Sequence, residues 1–374
     1  MKKNHQLIIA ILGTLLIILN IKHSYKKTPQ QIDSLLTIKL NFVGDLMCHI
    51  PQFEYAIIEK DSFDFKPYFE EIKKYLANAD ATFGNLETVI GGSKIGFTGY
   101  PNFNSPEEYL EALQFSGFDF LFTSNNHSAD KGVKGILSTI EKVKLYNMIP
   151  FGTNLSKVDQ DSVKIIDVKG IKVGVNSYTY GLNGNILPKE KNYLVNIIDT
   201  LLIRTDIQKI RNKKVDLVLI YFHFGEEYSR KSNLYQKEIA AKTFEYGADI
   251  IIASHPHVIQ PIEYFTKYNG KLAKGLVAYS LGNFFSNQQW RYSDAGAILG
   301  IEITKNVLRD SLWINDVSLI PTWVFKGSIS GKNTYRIVTS DTALIKPLPS
   351  YISENEIKKM AESFKDTREM FLIK

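Results

Sequence analysis

Short apolar runs alternate with stretches of helical period along most of the chain, and polar clusters close most of the runs. "LTIKLNFVGD", from Leu36, reads as a strand that ends at Gly44-Asp45, and "PYFEEIKKYLANAD" as an amphipathic helix opened by Pro67. "ATFGNLE" follows as a strand and turn. "SPEEYLEALQFSG" carries the signature of a capping box, Ser105 to Glu108, with Pro106 at the first helical position. "FDFLFTSNNHSAD" is a strand running into a polar turn, where Asp130 is a candidate cap for the helix "KGVKGILSTIEKVKLYN".

The second half repeats the scheme. "SVKIIDVKGIKVGVNSYT" predicts a hairpin turning at Lys169-Gly170. "TLLIRTDIQKIRNKK" is a helix, "VDLVLIYFHFG" a strand apolar on both faces, "NLYQKEIAAKTFEYG" a helix and "ADIIIASHPH" a further strand. "PIEYF" and "GLVAYSLGNFF" are separated by a turn at Asn269-Gly270. Strands dominate from Asp294 to about Thr339, and a helix capped by Ser353 closes the chain. Alternating strands and helices predict an α/β domain.

One segment breaks the pattern. Leu7 to Ile21 is apolar apart from Gly13, Thr14 and Asn20 and follows the basic "MKKNHQ". It fits a signal anchor or a secretory signal peptide, and the lack of a small-x-small site after it favours the uncleaved anchor. Residues 22 to 35 are polar and read as a linker. The division expected is an anchor or signal over 1–27, a linker over 28–36, the main domain over 37–340 and a helical segment over 341–374. This places the body outside the cytoplasmic membrane, held by a single N-terminal segment.

Composition adds three constraints. The 374 residues can bury a large core, and 44% hydrophobic with 22% charged residues is ordinary for a globular protein. The net charge of +6 is spread through mixed stretches such as "EEIKKYLANAD", without the basic face that nucleic-acid binding requires. Cys48 is the sole cysteine, so no intramolecular disulfide forms, and a small buried residue is expected there. The aromatic residues, 12% of the chain, are expected in the core rather than on a carbohydrate platform.

The chemistry lies where strands end: Asp45 in "VGDLMCH", Glu87 in "GNLE", Asn126 and His127 in "SNNHSADKG", His223 in "FHFGEEY", and His255 and His257 in "SHPH". Five of the seven histidines lie in or beside these motifs. Ligands of open α/β sheets bind outside the carboxyl ends of the strands, so the five motifs converge on one site. A lone strand-end histidine is more often hydrogen-bonded than a ligand; the conjunction carries the argument. Carboxylate, amide oxygen and imidazole together suit Mn, Fe or Zn. The H-x-H spacing on a strand would place both imidazoles on one face. Glu226, Tyr228 and Asn283 are further candidates to face a substrate.

The ordered set "NFVGDLMCH … ATFGNLETVI … FTSNNHSADKGVKGI … FHFGEEY … GADIIIASHPHVIQPIE … VAYSLGNF", from about Lys39 to Phe285, resembles the CapA family of poly-gamma-glutamate capsule synthesis proteins. That family is related to the calcineurin-like metallophosphoesterases. The resemblance implies a four-layer αββα sandwich of the metallophosphatase type around one or two divalent transition metals. It implies Asp45, Asn126, His223, His255 and His257 as metal ligands, with Glu87 as the candidate bridge. His127 matches the histidine that protonates a leaving group. Met47 stands where the phosphoesterases have the histidine of Asp-x-His, and the nearest histidine is His49. The function implied is capsule, poly-gamma-glutamate or related envelope-polymer biosynthesis. It would be a metal-dependent hydrolase or transferase acting on an anionic polymer or its precursor, beside membrane synthase subunits; the alternative is a non-catalytic polymer-binding or export subunit.

Overall fold

The structure, a computed structural model, describes residues 35–371 except 61, 267 and 268. The apolar segment Leu7 to Ile21 lies outside the described residues; among those described, no helix is long and apolar enough to cross a membrane. Among the described residues the strands are, in chain order, β1 (Leu35–Leu46), β2 (Ile57–Glu59), β3 (Ser62–Phe63), β4 (Ala81–Leu86), β5 (Phe120–Phe122), β6 (Ile149–Phe151), β7 (Ile165–Val168), β8 (Ile171–Thr179), β9 (Leu217–His223), β10 (Ile250–Ser254), β11 (Ile262–Phe265), β12 (Gly275–Ala278), β13 (Asn283–Phe285), β14 (Ala295–Asn306), β15 (Ser311–Ile329) and β16 (Lys332–Thr339). They form an eight-stranded sheet, β16-β15-β14-β1-β4-β5-β6 with β13 also paired to β1, and a six-stranded sheet, β11-β12-β10-β9-β8-β7; β2 and β3 make a separate ribbon.

Side-chain alternation turns this topology into layers. On β9, Leu217, Leu219 and Tyr221 join the core between the sheets, while Val218, Ile220 and Phe222 face the outer helices. Ile38, Leu40 and Phe42 of β1 enter the same inner core from the other sheet. Phe122 and Tyr221 stack across the gap with centroids 4.1 Å apart. Helices Lys66–Leu76 and Glu108–Ser116 cover one outer face, and Thr200–Asn212 and Leu234–Glu245 the other. The result is the four-layer αββα sandwich of metallophosphatase type.

Local chemistry accounts for the element boundaries, twice against expectation. The hairpin between β7 and β8 turns at Lys169 (φ +47°) and Gly170 (φ +88°), a two-residue turn with both central residues left-handed. Ser353 caps the helix Glu354–Glu369 in a capping box with Glu356. The capping box expected at Ser105 does not form. Ser105 is buried, its hydroxyl pairs with Thr88 Oγ1 at 2.6 Å, and the helix starts at Glu108 instead. Asp130 does not cap either: it accepts from Phe103 N at 2.7 Å and faces His127. Cys48 is buried.

Candidate metal centre

Each site residue is delivered by the end of a parallel strand. Asp45 is near the end of β1, Glu87 follows β4, Asn126 and His127 lie in the turn after β5, His223 ends β9, and His255 and His257 follow β10. β1 can lie against the 282–283 segment because residue 44 is glycine. A Cβ there would stand 1.9 Å from Gly282 O, and Asp45 N donates to that same carbonyl at 2.9 Å.

The two histidines converge for a reason other than strand alternation. β10 stops at Ser254, and His255 and His257 both have left-handed backbones, φ +107° and +57°, around Pro256. Non-glycine residues pay a conformational penalty of about 1–3 kcal/mol in such regions, which persists where surrounding structure fixes them. The turn, not the strand, therefore aims both rings inward.

The donors fall into overlapping sets. Glu87, His223 and His255 offer ligand atoms that all lie within 4.8 Å of one another, as do Asp45, Glu87 and His257, and Glu227, His255 and His257. Glu87 belongs to the first two sets and so lies between them, the position of a bridge. Asn126 Oδ1 is 2.8 Å from His223 Nε2, at the edge of the first set. His127 and His49 belong to none of the sets. Met47 and His49 instead line the adjoining cleft, and His49 Nδ1 is 3.0 Å from Gln52 Oε1.

Hydrogen bonds hold the donors in place. Asp45 accepts from Asn85 Nδ2 at 2.8 Å, and its second oxygen lies 3.0 Å from His257 Nδ1. His257 Nδ1 also meets Asn283 Oδ1 at 3.0 Å. Two acceptors at Nδ1 set that nitrogen as the protonated one and free Nε2 as a ligand atom. Asn85 additionally reaches Glu87 Oε2 at 3.3 Å and receives Asn125 Nδ2 on its own oxygen at 3.1 Å.

Electrostatics separates the two carboxylates. Burial works to raise Asp45, but the hydrogen bond and charge of His257, with His223, hold it well below the usual carboxylate range. Glu87 is pushed well above that range by burial and by the Asp45 charge beside it. Burial and the neighbouring His257 push His255 down to about 3, and burial with His255 lowers His223, so these imidazoles stay neutral and keep lone pairs. Glu87 Oε1 and His255 Nδ1 are buried without a hydrogen-bond partner. Orphaned oxygen and nitrogen donors within one cluster, neutral imidazoles and an ionised carboxylate fit a divalent metal, which would supply the missing partner and reverse the cost of the Glu87 charge.

Asn85, Asn125 and Glu227 enter the site although the sequence reading passed over them. Asn85 was within reach, because two-residue alternation puts it on the same face as Glu87. Glu227 rather than Glu226 completes a donor set, although both are exposed. Asn283 touches the centre through His257, and Tyr228 has its ring centroid 6.1 Å from that of His257.

The bacterial capsule synthesis protein family PGA_cap matches residues 39–288. A capsule biosynthesis protein CapA from Bacillus anthracis is 28% identical over 318 residues, covering 82% of this chain and 74% of that one. A PGA biosynthesis protein CapA from Bacillus subtilis is 26% identical over 314 residues, 82% of this chain and 78% of its own. Among solved structures, a Staphylococcus aureus protein assigned as a 5′-nucleotidase superposes with a TM-score of 0.50 at 12% identity, over 88% of this chain and 58% of that one. That likeness is one of fold.

Proposed function

The chain belongs to the PGA_cap family of bacterial capsule synthesis proteins, and on that premise we propose that it is a metal-dependent hydrolase or transferase acting on an anionic envelope polymer or its precursor. Asp45, Glu87, Asn126, His223, His255 and His257 would hold one or two ions of Mn, Fe or Zn. A divalent ion there supplies Lewis acidity toward a substrate oxygen and acidifies water.

One observation carries the catalytic reading. His127 lies outside every donor set yet lines the cleft of about 350 Å³ beside the cluster. Its Nδ1 donates to Asp130 Oδ2 at 2.8 Å, and Phe103 meets its ring edge-on at 4.7 Å. This leaves Nε2 to carry a proton toward a leaving group. Asp130 fixes the tautomer and is a positioning residue; a cluster that only bound a polymer would have no use for such a pair.

We further propose that residues 1–27 anchor the protein, with the domain on the extracytoplasmic side and membrane synthase subunits as partners. The test is turnover by the purified full chain loaded with Mn, Fe or Zn in turn, against phosphoester, amide and γ-glutamyl substrates. Turnover that chelation abolishes supports the reading. Polymer binding without turnover in any class would replace it with the non-catalytic export subunit.

A further inference from the structure

The cleft next to the cluster has a second character. Three of its residues are large aromatics left open to solvent: Tyr100 is 71% exposed, Tyr228 44% and Trp290 52%. Six large aromatics are exposed among the described residues, and three of them meet at this one opening. Tyr228 and Trp290 meet with centroids 5.5 Å apart at 63°. Asn287, Gln288 and Glu227 supply polar groups on the same walls.

The platform is built, not incidental. Tyr228 has a left-handed backbone, φ +64°, held by its N–H donating to Pro256 O at 2.7 Å. The turn that aims His255 and His257 thus also fixes the Tyr228 ring. Trp290 sits in a loop tied at both ends. Asn283 Nδ2 donates to Gln288 Oε1 at 2.9 Å and to Ser293 O at 2.8 Å, and Arg291 makes a two-pronged pair with Asp366 at 3.0 and 3.1 Å. An exposed aromatic held in a strained backbone points to a use for the ring rather than for the fold.

Charge narrows the occupant. Among the described residues no lysine or arginine lines the cleft, and Glu227 does. The arginine of the rim loop, Arg291, is committed to Asp366, and Lys326 donates to Asn287 Oδ1 at 2.8 Å. Glu227 favours a ligand with hydroxyls to donate over one that adds carboxylates to that wall. A pyranose offers what the walls lack: an apolar C–H face for the angled rings, and hydroxyls for the two amides and the carboxylate. The volume suits one or two such rings.

We propose that the cleft is a sugar subsite, in which an uncharged hexose or N-acetylhexosamine ring rests on Tyr228 and Trp290 with its hydroxyls on Asn287, Gln288 and Glu227. The reacting group then lies at the donor cluster; this placement alone rests on the reading given above. The probes are the N-acetylglucosamine disaccharide, maltose, a γ-glutamyl pentamer and adenosine, titrated calorimetrically into the full chain in detergent, with metal content measured on the same samples. At least one of the two sugars binds, and its affinity falls about tenfold in Trp290→Ala and in Tyr228→Asn. Asparagine tolerates the left-handed backbone, so that variant removes the ring and keeps the turn. Absence of sugar binding, whatever else binds, overturns the proposal, as does sugar affinity unchanged in both variants. Sugar binding survives chelation, because neither ring is a donor to the cluster. A chain that binds sugar but no metal would therefore defeat the metal reading alone, and one that binds metal but no sugar would defeat this one.

Discussion

Four parallel strands, β4, β5, β9 and β10, carry an acidic residue just before they begin and a residue of the cluster, or its neighbour His127, at or just beyond their ends. Asp80, Asp119, Asp216 and Asp249 stand at the starts. Each accepts a backbone N–H from the strand next door: Lys39 at 2.9 Å, Thr82 at 2.9 Å, Lys172 at 2.9 Å and Val218 at 2.7 Å. Each returns its own N–H to the same residue's carbonyl, so adjacent strands are clamped in both sheets by one repeated ring. At the other ends Glu87 Oε1 and His255 Nδ1 are buried without partners. At one end the four carboxylates meet backbone donors and fix register. The other leaves donors unmet and holds them with strained turns. Buried polar groups without partners cost roughly 1–3 kcal/mol each, so two of them within one cluster of metal-ligating residues point to a ligand there.

The comparison breaks most sharply at His127. Replacing it with alanine should cut turnover by about a hundredfold to ten-thousandfold, with bound metal and melting temperature nearly unchanged. A drop in melting temperature with turnover intact would move His127 to the structural end of the comparison.

Asp249→Ala should do the reverse. It strips Arg211 Nη2 of a partner at 2.6 Å and Lys271 N of one at 2.6 Å, besides Val218 N. A loss of about 3 kcal/mol in urea unfolding is expected, with metal content per folded chain unaltered. Metal loss in the folded fraction would show that the two ends are not independent.

A smaller effect concerns a buried carboxylate that belongs neither to the four clamps nor to the cluster. Asp294, just before β14, accepts one side-chain bond, from Trp323 Nε1 at 2.9 Å, and burial pushes it up to about 6. The folded chain therefore holds a proton that the unfolded chain releases above its ordinary carboxylate range. This contribution is most favourable at low pH and is lost as pH rises toward about 6. Asp294→Asn keeps the acceptor and removes the charge. It should stabilise by on the order of 1 kcal/mol at pH about 8 and do little at pH about 4. A gain equal at both pH values would contradict the assignment.

Much of this was legible in the sequence, because it depends on local chemistry. The continuous apolar run in "VDLVLIYFHFG" announced a strand buried on both faces, and the polar cluster after each run marked the open end of the sheets. What stayed hidden depends on neighbours distant in the chain. Ser105 reads as a cap until Thr88 claims its hydroxyl, and Asp130 until His127 and Phe103 claim its carboxylate. The H-x-H spacing suggested a strand face, whereas the rings are aimed by two left-handed residues that spacing cannot reveal. Asn85 reads as one polar residue within "FGNLE" until Asp45, Glu87 and Asn125 meet its side chain. The repeated aspartate before "ATF", "FLF", "LVL" and "III" is visible as a pattern, yet its meaning appears only when each carboxylate meets the adjacent strand.

The central claim is that the open strand ends form a divalent-metal centre in which Glu87 lies between two donor sets that include His255 and His257. The direct measurement is metal content by mass spectrometry of the wild-type chain and the His255→Ala/His257→Ala double variant, both purified after growth with Mn, Fe and Zn, with folding followed by circular dichroism. The account predicts bound transition metal in the wild type and its near-complete loss in a variant that keeps its fold. Equal metal content in the two folded proteins would contradict it.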